Sequence, residues 1–179
     1  MNQLEQLGQK YGTDKTSSYH NYLEMYDSTF SGIKESVSKV LEIGTKEGAS
    51  LRMWRDYFPN AIVCGIDNNP EHNFDEERIV TFTMNQNSVS DLELLKSKMV
   101  SFDIIIDDGS HYYNDQLISS RNLIGSVKSG GYYIIEDVMI EHKEGLMNEL
   151  KEYNPQWIPS IPLVKTEKDD NYLLVIKAK

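Results

Sequence analysis

The chain has 179 residues, a length that suits one domain with a full hydrophobic core. Its 28 acidic and 18 basic side chains give a net charge of −10, which argues against non-specific binding to nucleic acid or to anionic membranes. The one cysteine, Cys64, lies in an apolar stretch, so we expect a buried thiol, no disulfide within the chain and a reducing compartment. The N-terminus lacks a signal-peptide core, and the apolar runs are too short to span a bilayer. We therefore expect a soluble, cytoplasmic protein.

Hydrophobic periodicity predicts helices and strands in alternation along the chain. In chain order we expect helices at 2–10 and 21–36, a strand at 37–43, a helix at 50–58, strands at 61–66 and 79–84, a helix at 91–98, a strand at 102–106, a helix at 114–127, a strand at 132–135, a helix at 141–153 and strands at 158–165 and 172–177. Asp91 is expected near a helix N-cap, Gly130 and Gly131 at the turn into a strand, and a polar turn at 167–170.

This order of elements predicts the α/β class, with a Rossmann-like, doubly wound, mostly parallel sheet of about seven strands and a C-terminal antiparallel hairpin. We expect one globular domain overall. Within it, residues 1–36 would form an N-terminal helical segment on the substrate side, packed on the core, and residues 37–179 the main domain. Trp54 and Phe58 are expected in the core rather than in a ligand pocket.

Two hydrophobic runs end in acidic residues, FDIIIDDGSH at 102–111 and GGYYIIEDV at 130–138. They have the composition of strands buried on both faces, and parallel sheets bind ligands at the carboxyl ends of their strands. Four carboxylates are therefore expected at one rim of the sheet, those of Asp107, Asp108, Glu136 and Asp137. Because four unpaired negative charges would repel one another strongly, the pattern predicts a metal site with a base, His111, beside it.

A glycine-containing turn, LEIGTKEGAS at 41–50, follows the first predicted strand. Gly44 permits positive φ and lets a ligand approach the backbone closely. Asp67 ends the second strand 23 residues later, the usual place for a carboxylate that accepts hydrogen bonds from ribose hydroxyls. The middle of the turn is Lys46 rather than the glycine of a dinucleotide fingerprint, so S-adenosylmethionine, which has no phosphates, fits better than NAD. A tight turn without a ligand is the alternative.

Several segments between Tyr11 and Val138 match one known family. They are YGTDK with His20 and Tyr22, LEIG and GASLRMWRDYFPNA, GID, IIIDDGSH and GGYYIIEDV. With these segments the chain resembles the class I S-adenosylmethionine-dependent methyltransferases, and among them the metal-dependent macrolide-sugar O-methyltransferases of the mycinamicin and tylosin type. The DDGSH and IED pair is specific, whereas the glycine turn is shared by the whole superfamily.

The resemblance implies O-methylation of a sugar or glycosylated small molecule. It also implies a divalent cation, most of all Mg²⁺, bound by Asp108, Glu136 and Asp137, with His111 as general base. It further implies that Glu42, Gly44 and Asp67 hold S-adenosylmethionine. Lys15 is expected to reach the cofactor's carboxylate, and the other expected cofactor residues are Thr45, Gly48, Asn68, Gln86, Asn87 and Asp107. Related enzymes assemble into oligomers, so a homo-oligomer is compatible, while nucleic acid and membrane are not expected as partners.

Alternatives stay open for the metal and base residues. Asp107 could replace Asp108 as ligand, the Glu136-Asp137 pair could cap a helix, and His111 could be an ordinary loop histidine.

Other features also have two interpretations. His20 belongs either to core packing or to an acceptor surface, and the aromatic segment 11–26 is a candidate exposed contact surface. Asn85-Gln86 stands where the family has an acidic-Gln pair, and His72 and His142 are expected in solvent. Competing functions are a catechol-type O-methyltransferase, an NAD-linked oxidoreductase and a degenerate nucleoside-binding scaffold.

Overall fold

The computed structural model of the protein describes residues 2–160 and 171–179. Its α-helices are α1 (Gln3–Tyr11), α2 (Leu23–Phe30), α3 (Ala49–Tyr57), α4 (Val89–Met99), α5 (Tyr113–Leu123) and α6 (Lys143–Glu149). Its strands are β1 (Lys39–Ile43), β2 (Ile62–Asp67), β3 (Ile79–Thr83), β4 (Phe102–Asp107), β5 (Val127–Ile135), β6 (Gln156–Pro159) and β7 (Tyr172–Lys177). The predicted turn at 167–170 and most of the predicted strand at 158–165 lie outside the described residues. Among the described helices, none combines the length and apolar composition needed to cross a bilayer.

The seven described strands form one sheet in the order β3-β2-β1-β4-β5-β7-β6. Strands β1 to β5 run parallel, and β7 is antiparallel to both of its neighbours. The predicted α/β class, with a mostly parallel sheet and an antiparallel C-terminal hairpin, is confirmed. Strand order reverses between β1 and β4, and sheets of this kind bind ligands outside the carboxyl ends of the strands at such a point.

Helices cover both faces of the sheet. On one face α1, α2 and α3 bury Leu4, Phe30 and Trp54 against strand residues, and on the other α4, α5 and α6 form a second core. Trp54 and Phe58 are fully buried, as predicted. Cys64 is also buried, and this burial raises the pKa of its thiol to about 12.

Strand β5 begins at Val127, five residues before the predicted strand. Gly130 has a φ of 80° inside β5, and the register with β4 shifts between Phe102 and Ile104. The glycine therefore forms an irregularity within the strand, and the prediction of a turn before it is wrong. A residue with positive φ interrupts the ladder locally without ending the pairing.

The local hydrogen bonds also move one helix boundary. Helix α4 is capped by Ser88, whose side chain accepts a hydrogen bond from the Asp91 N–H. Asp91, expected near the N-cap, lies in the first turn three residues after Ser88, and its carboxylate accepts from the Asn85 N–H. The predicted helices at 21–36 and 141–153 are shorter in the structure, where α6 is flanked by two 3-10 turns.

The N-terminal segment packs on the sheet. Leu4, Leu23 and Phe30 share one buried cluster with strand residues. Tyr22 and Tyr26 are fully buried, so the expected exposed aromatic surface is wrong for both, although Tyr19 is 59% exposed. The division at residue 36 and the homo-oligomer stay predictions.

Phe30 provides a test of this packing, because its ring contacts the rings of Tyr26, Phe58 and Tyr132. We expect Phe30→Ala to lower the free energy of unfolding by about 3–5 kcal/mol, since the ring leaves a cavity. Chemical denaturation measures the loss. The control Tyr19→Ala, at an exposed ring, should change it by less than about 0.5 kcal/mol, and equal losses would contradict the packing.

Candidate active site

A cleft of about 380 Å³ opens where the carboxyl ends of β1, β2, β3 and β4 meet. Five of the residues predicted to hold a cofactor line it: Gly44, Asp67, Asn68, Gln86 and Asn87. A smaller cleft of about 200 Å³ lies on the other side of Gly44 and is lined by Thr13, Asp14 and Thr45. Gly44, Lys46 and Asp108 border both clefts. The two clefts therefore form adjoining spaces at the strand-order reversal.

The turn after β1 depends on Gly44 and Asp67. Gly44 has a φ of 83°, and a Cβ atom there would overlap the backbone carbonyl of Asp108. The Asp67 carboxylate accepts hydrogen bonds from the Thr45 N–H at 2.9 Å and the Lys46 N–H at 3.1 Å. Although partial burial raises the pKa of Asp67, hydrogen bonds from backbone N–H groups hold it below the ordinary value. The carboxylate is therefore ionised and fixed at the edge of the cleft.

Gln86 connects this cleft to the segment that follows β4. Its side-chain oxygen accepts a hydrogen bond from the Ser110 N–H, and its amide nitrogen donates to Asp107 at 3.1 Å. Asp107 is fully buried, where it also accepts from the hydroxyls of Ser119 and Tyr133. Burial raises the pKa of Asp107 to about 7. The Asp107 carboxylate lines neither of the two clefts, and it contacts the wall of the larger one through Gln86 and the backbone of Gly109.

Asp108, His111 and Asp137 come together beside the cleft. Each contributes an atom that could bind a metal, and these atoms lie within 4.8 Å of one another. His111 Nε2 is 3.4 Å from Asp137 Oδ2 and 3.9 Å from Asp108 Oδ1. Asp137 has a φ of 50°, a conformation that is rare outside glycine and that clusters at functional sites. Two carboxylates and an imidazole make a donor set that can hold a hard divalent cation.

Glu136 adjoins this group without belonging to it, and it pairs with Lys15. One Glu136 oxygen accepts the Tyr26 hydroxyl, and the other accepts the Lys15 ammonium at 2.7 Å. Lys15 also donates to Asp108 Oδ2 and lies 3.4 Å from Glu42 Oε1. Burial alone would lower the pKa of Lys15, but the carboxylates of Asp108 and Glu136 hold it well above the ordinary value. Lys15 is therefore a buried cation among three carboxylates.

The expectation that four carboxylates share one rim holds for three of them. Lys15 contacts both Asp108 and Glu136, and His111 contacts both Asp108 and Asp137. Asp107 is buried apart from them. Successive side chains of a strand point to opposite faces, so Asp107 and Asp108 separate. Glu136 is held inside by Lys15, which leaves Asp108 and Asp137 beside His111. Of the two interpretations of the Asp pair, this arrangement favours Asp108 as the ligand.

The N-terminal segment supplies further contacts to Asp137. The Tyr22 hydroxyl donates to Asp137 Oδ1 at 2.6 Å, and His20 Nδ1 lies 3.3 Å from the same oxygen. His20 also stacks on Tyr22 and contacts Asn171 at 2.8 Å. Sequence reasoning missed Tyr22 and Tyr26 as partners of the acidic residues. Their spacing of four, which places side chains on one face of a helix, is the signal that could have found them.

The remaining predicted residues have local structural contacts. Gly48 is the N-cap of α3 with a φ of 78°, and its N–H donates to the Thr45 carbonyl. His72 is half-buried with Nδ1 3.2 Å from Asp67, and His142 is half-buried against Tyr113. The expectation that both histidines lie in solvent is wrong.

No protein-family model matches the chain. The sequence is 34% identical over 149 residues to the 8-demethyl-8-(2-methoxy-alpha-L-rhamnosyl)-tetracenomycin-C 3'-O-methyltransferase of Streptomyces olivaceus. It is also 34% identical over 149 residues to the mycinamicin VI 2''-O-methyltransferase of Micromonospora griseorubida. These alignments cover 79% of this chain but only 38% and 37% of the relatives, so the chain spans less than half the length of the curated relatives it matches.

Solved structures agree with the sequence similarity. The MycE methyltransferase from the mycinamycin biosynthetic pathway, in complex with Mg, SAH and mycinamycin VI, matches with a TM-score of 0.81 at 28% identity, over 99% of this chain and 55% of that chain. The fold is that of a methyltransferase. The N-methyltransferase NodS from Bradyrhizobium japonicum WM9 matches with a TM-score of 0.58 at 15% identity, over 88% of this chain and 97% of that chain, and shows the fold alone. The resemblance found in the motifs, to class I methyltransferases and macrolide-sugar O-methyltransferases, is confirmed.

The close approach at Gly44 can be tested within this methyltransferase fold. Gly44 and Gly12 both have positive φ, but a Cβ at Gly12 would have no neighbour within 4 Å. We expect Gly12→Ala to cost about 1–2 kcal/mol of unfolding free energy, from backbone strain alone. Gly44→Ala should cost more, since its Cβ displaces the Asp108 backbone. Urea denaturation of the two variants measures the difference, and equal losses would show that the turn tolerates a side chain.

Proposed function

We propose that the protein is an S-adenosylmethionine-dependent O-methyltransferase that uses a divalent cation and methylates a hydroxyl of a sugar or glycosylated small molecule. The observation that carries this proposal is the group of Asp108, His111 and Asp137, which shares Asp108 with a cleft of cofactor size. The similar proteins are named as O-methyltransferases of a rhamnosyl tetracenomycin and of mycinamicin VI, and these names support the acceptor class.

The cofactor would occupy the clefts on both sides of Gly44. In the larger cleft the ionised Asp67 would accept hydrogen bonds from the ribose hydroxyls, and the apolar side chains of Ile66 and Met84 would line the space for the adenine ring. The positive φ and absent side chain of Gly44 let the ligand pass close to the backbone. The SAH bound in the MycE structure, which matches over almost the whole chain, supports this placement.

Asp108 and Asp137 fit a divalent cation. Each keeps one carboxylate oxygen directed towards His111, and hard oxygen donors favour Mg²⁺ or Mn²⁺. When bound, such a cation lowers the pKa of a coordinated hydroxyl and fixes its orientation. Glu136, the third predicted ligand, is fully buried, and Lys15 donates to one of its oxygens.

His111 is proposed as the general base. Its Nε2 atom lies 3.4 Å from Asp137, which orients the ring and stabilises the imidazolium once the acceptor proton arrives. The ring is partly exposed beside the cleft, so a substrate hydroxyl has access to it. The rest of the rate enhancement would come from holding the methyl donor and the acceptor oxygen in line.

We expect His111→Ala to lower kcat for methyl transfer to a sugar acceptor by about 10²–10⁴-fold, the usual contribution of a general base. Its affinity for S-adenosylhomocysteine should match the wild type, because His111 does not line the cofactor cleft. Calorimetry and a methyl-transfer assay measure the two quantities. His142→Ala, at a histidine that packs on Tyr113, is the control and should retain full turnover. Full turnover of His111→Ala would contradict the proposed base.

Removal of divalent cations tests the metal separately. With EDTA we expect methyl transfer to stop and added Mg²⁺ to restore it. Chelation removes the cation that activates the acceptor hydroxyl, and it leaves the charges of Asp108 and Asp137 to repel each other. The assay compares initial rates with EDTA and after Mg²⁺ is returned. Turnover that is unaffected by EDTA would exclude the metal while leaving S-adenosylmethionine as the methyl donor.

A further inference from the structure

Lys15 occupies an unusual position for a lysine. Its side chain is 1% exposed, and its ammonium contacts Glu42, Asp108 and Glu136, which lie at or near the carboxyl ends of three different strands. Lysines are almost never fully buried unless they are paired. Lys15 comes from the segment between α1 and α2, so a residue outside the sheet supplies the positive charge at its carboxyl edge.

The contacts of Lys15 overlap with those of the proposed metal site. Asp108 uses Oδ2 for Lys15, while its Oδ1 faces His111. Each oxygen of Glu136 already accepts a hydrogen bond, one from Tyr26 and one from Lys15. A divalent cation that takes Asp108 and Glu136 must therefore share them with the ammonium or displace it.

We infer that Lys15 is a built-in counter-ion that competes with the divalent cation for Asp108 and Glu136. The inference rests on the proposed function, because it assumes a cation at this site. Without metal, Lys15 compensates the buried carboxylates and keeps the site assembled. When a metal binds, the positive charge of Lys15 repels it and lowers the affinity of the site. Lys15 is therefore a positioning residue whose charge determines how tightly the metal binds.

The direction of the effect separates competition from a purely structural contribution. Loss of a structural lysine would disorder the carboxylates and weaken metal binding. Loss of a competing lysine removes a positive charge next to two ligands and frees an oxygen of Glu136, which strengthens metal binding. Only the second mechanism predicts a variant that is less stable without metal and binds metal more tightly.

The experiment is calorimetric titration of the full chain with Mn²⁺ alone, without cofactor. We expect Lys15→Met to bind Mn²⁺ at least about tenfold more tightly than the wild type, because a charge within hydrogen-bond distance of the ligands is removed. The control Lys128→Met removes an equal charge that pairs with Asp103, away from the site, and should bind as the wild type does. Without metal, Lys15→Met should have a lower Tm, and Mn²⁺ should raise this Tm by more than it raises the wild-type Tm.

A second variant covers the case in which Lys15→Met does not fold. Lys15→Met with Glu42→Gln removes the cation together with one of its three carboxylates, restores the net charge and keeps Asp108, Glu136 and Asp137. It too should bind Mn²⁺ more tightly than the wild type. In the wild type, the ammonium resonance of ¹⁵N-labelled Lys15 should shift when Mg²⁺ is added.

The outcomes distinguish this inference from the proposed function. Equal or weaker Mn²⁺ binding by the Lys15 variants, or an ammonium resonance unchanged at saturating Mg²⁺, overturns the competition while the metal-dependent methyltransferase stands. Failure of the wild type and all variants to bind Mn²⁺ or Mg²⁺ overturns both the competition and the metal in the proposed function.

Discussion

The burial of charge at the carboxyl edge of the sheet is the constraint on which the rest of the structure depends. Glu42, Asp107 and Glu136 are fully buried there, and a buried carboxylate without partners is costly. The fold compensates them from two directions. Hydroxyls of Ser119 and Tyr133 donate to Asp107, and Lys15 reaches Glu42 and Glu136 from the N-terminal segment. The helices before the sheet are therefore part of the site.

This compensation divides the acidic residues by function. Those that end or follow a strand and face inward hold loops in place, as Asp107 does through Gln86 and Ser110. Those that face the rim, Asp108 and Asp137, stay close to His111 and keep oxygens for a ligand. The same edge thus contains a buried polar layer below and the proposed metal and base residues above, and firm support is what holds reacting groups at productive distances.

The similarity to longer proteins has a structural explanation. The sheet and its two layers of helices contain both clefts, the two acidic residues and the histidine. Almost all of this chain aligns with about half of MycE. In the proposed function, the side chains of this part bind the methyl donor and deprotonate the hydroxyl.

The sequence by itself determined the α/β class, the parallel strands, the buried Trp54 and the motifs that match the methyltransferases, because hydrophobic periodicity and short motifs are local properties. It also predicted that Asp67, Gln86 and Gly44 would share one edge, since the carboxyl ends of parallel strands meet. Only the tertiary structure decided which carboxylates face each other. The alternation of side chains separated Asp107 from Asp108, and the pairing of Glu136 with Lys15 joins residues 121 positions apart, a contact that no local pattern encodes.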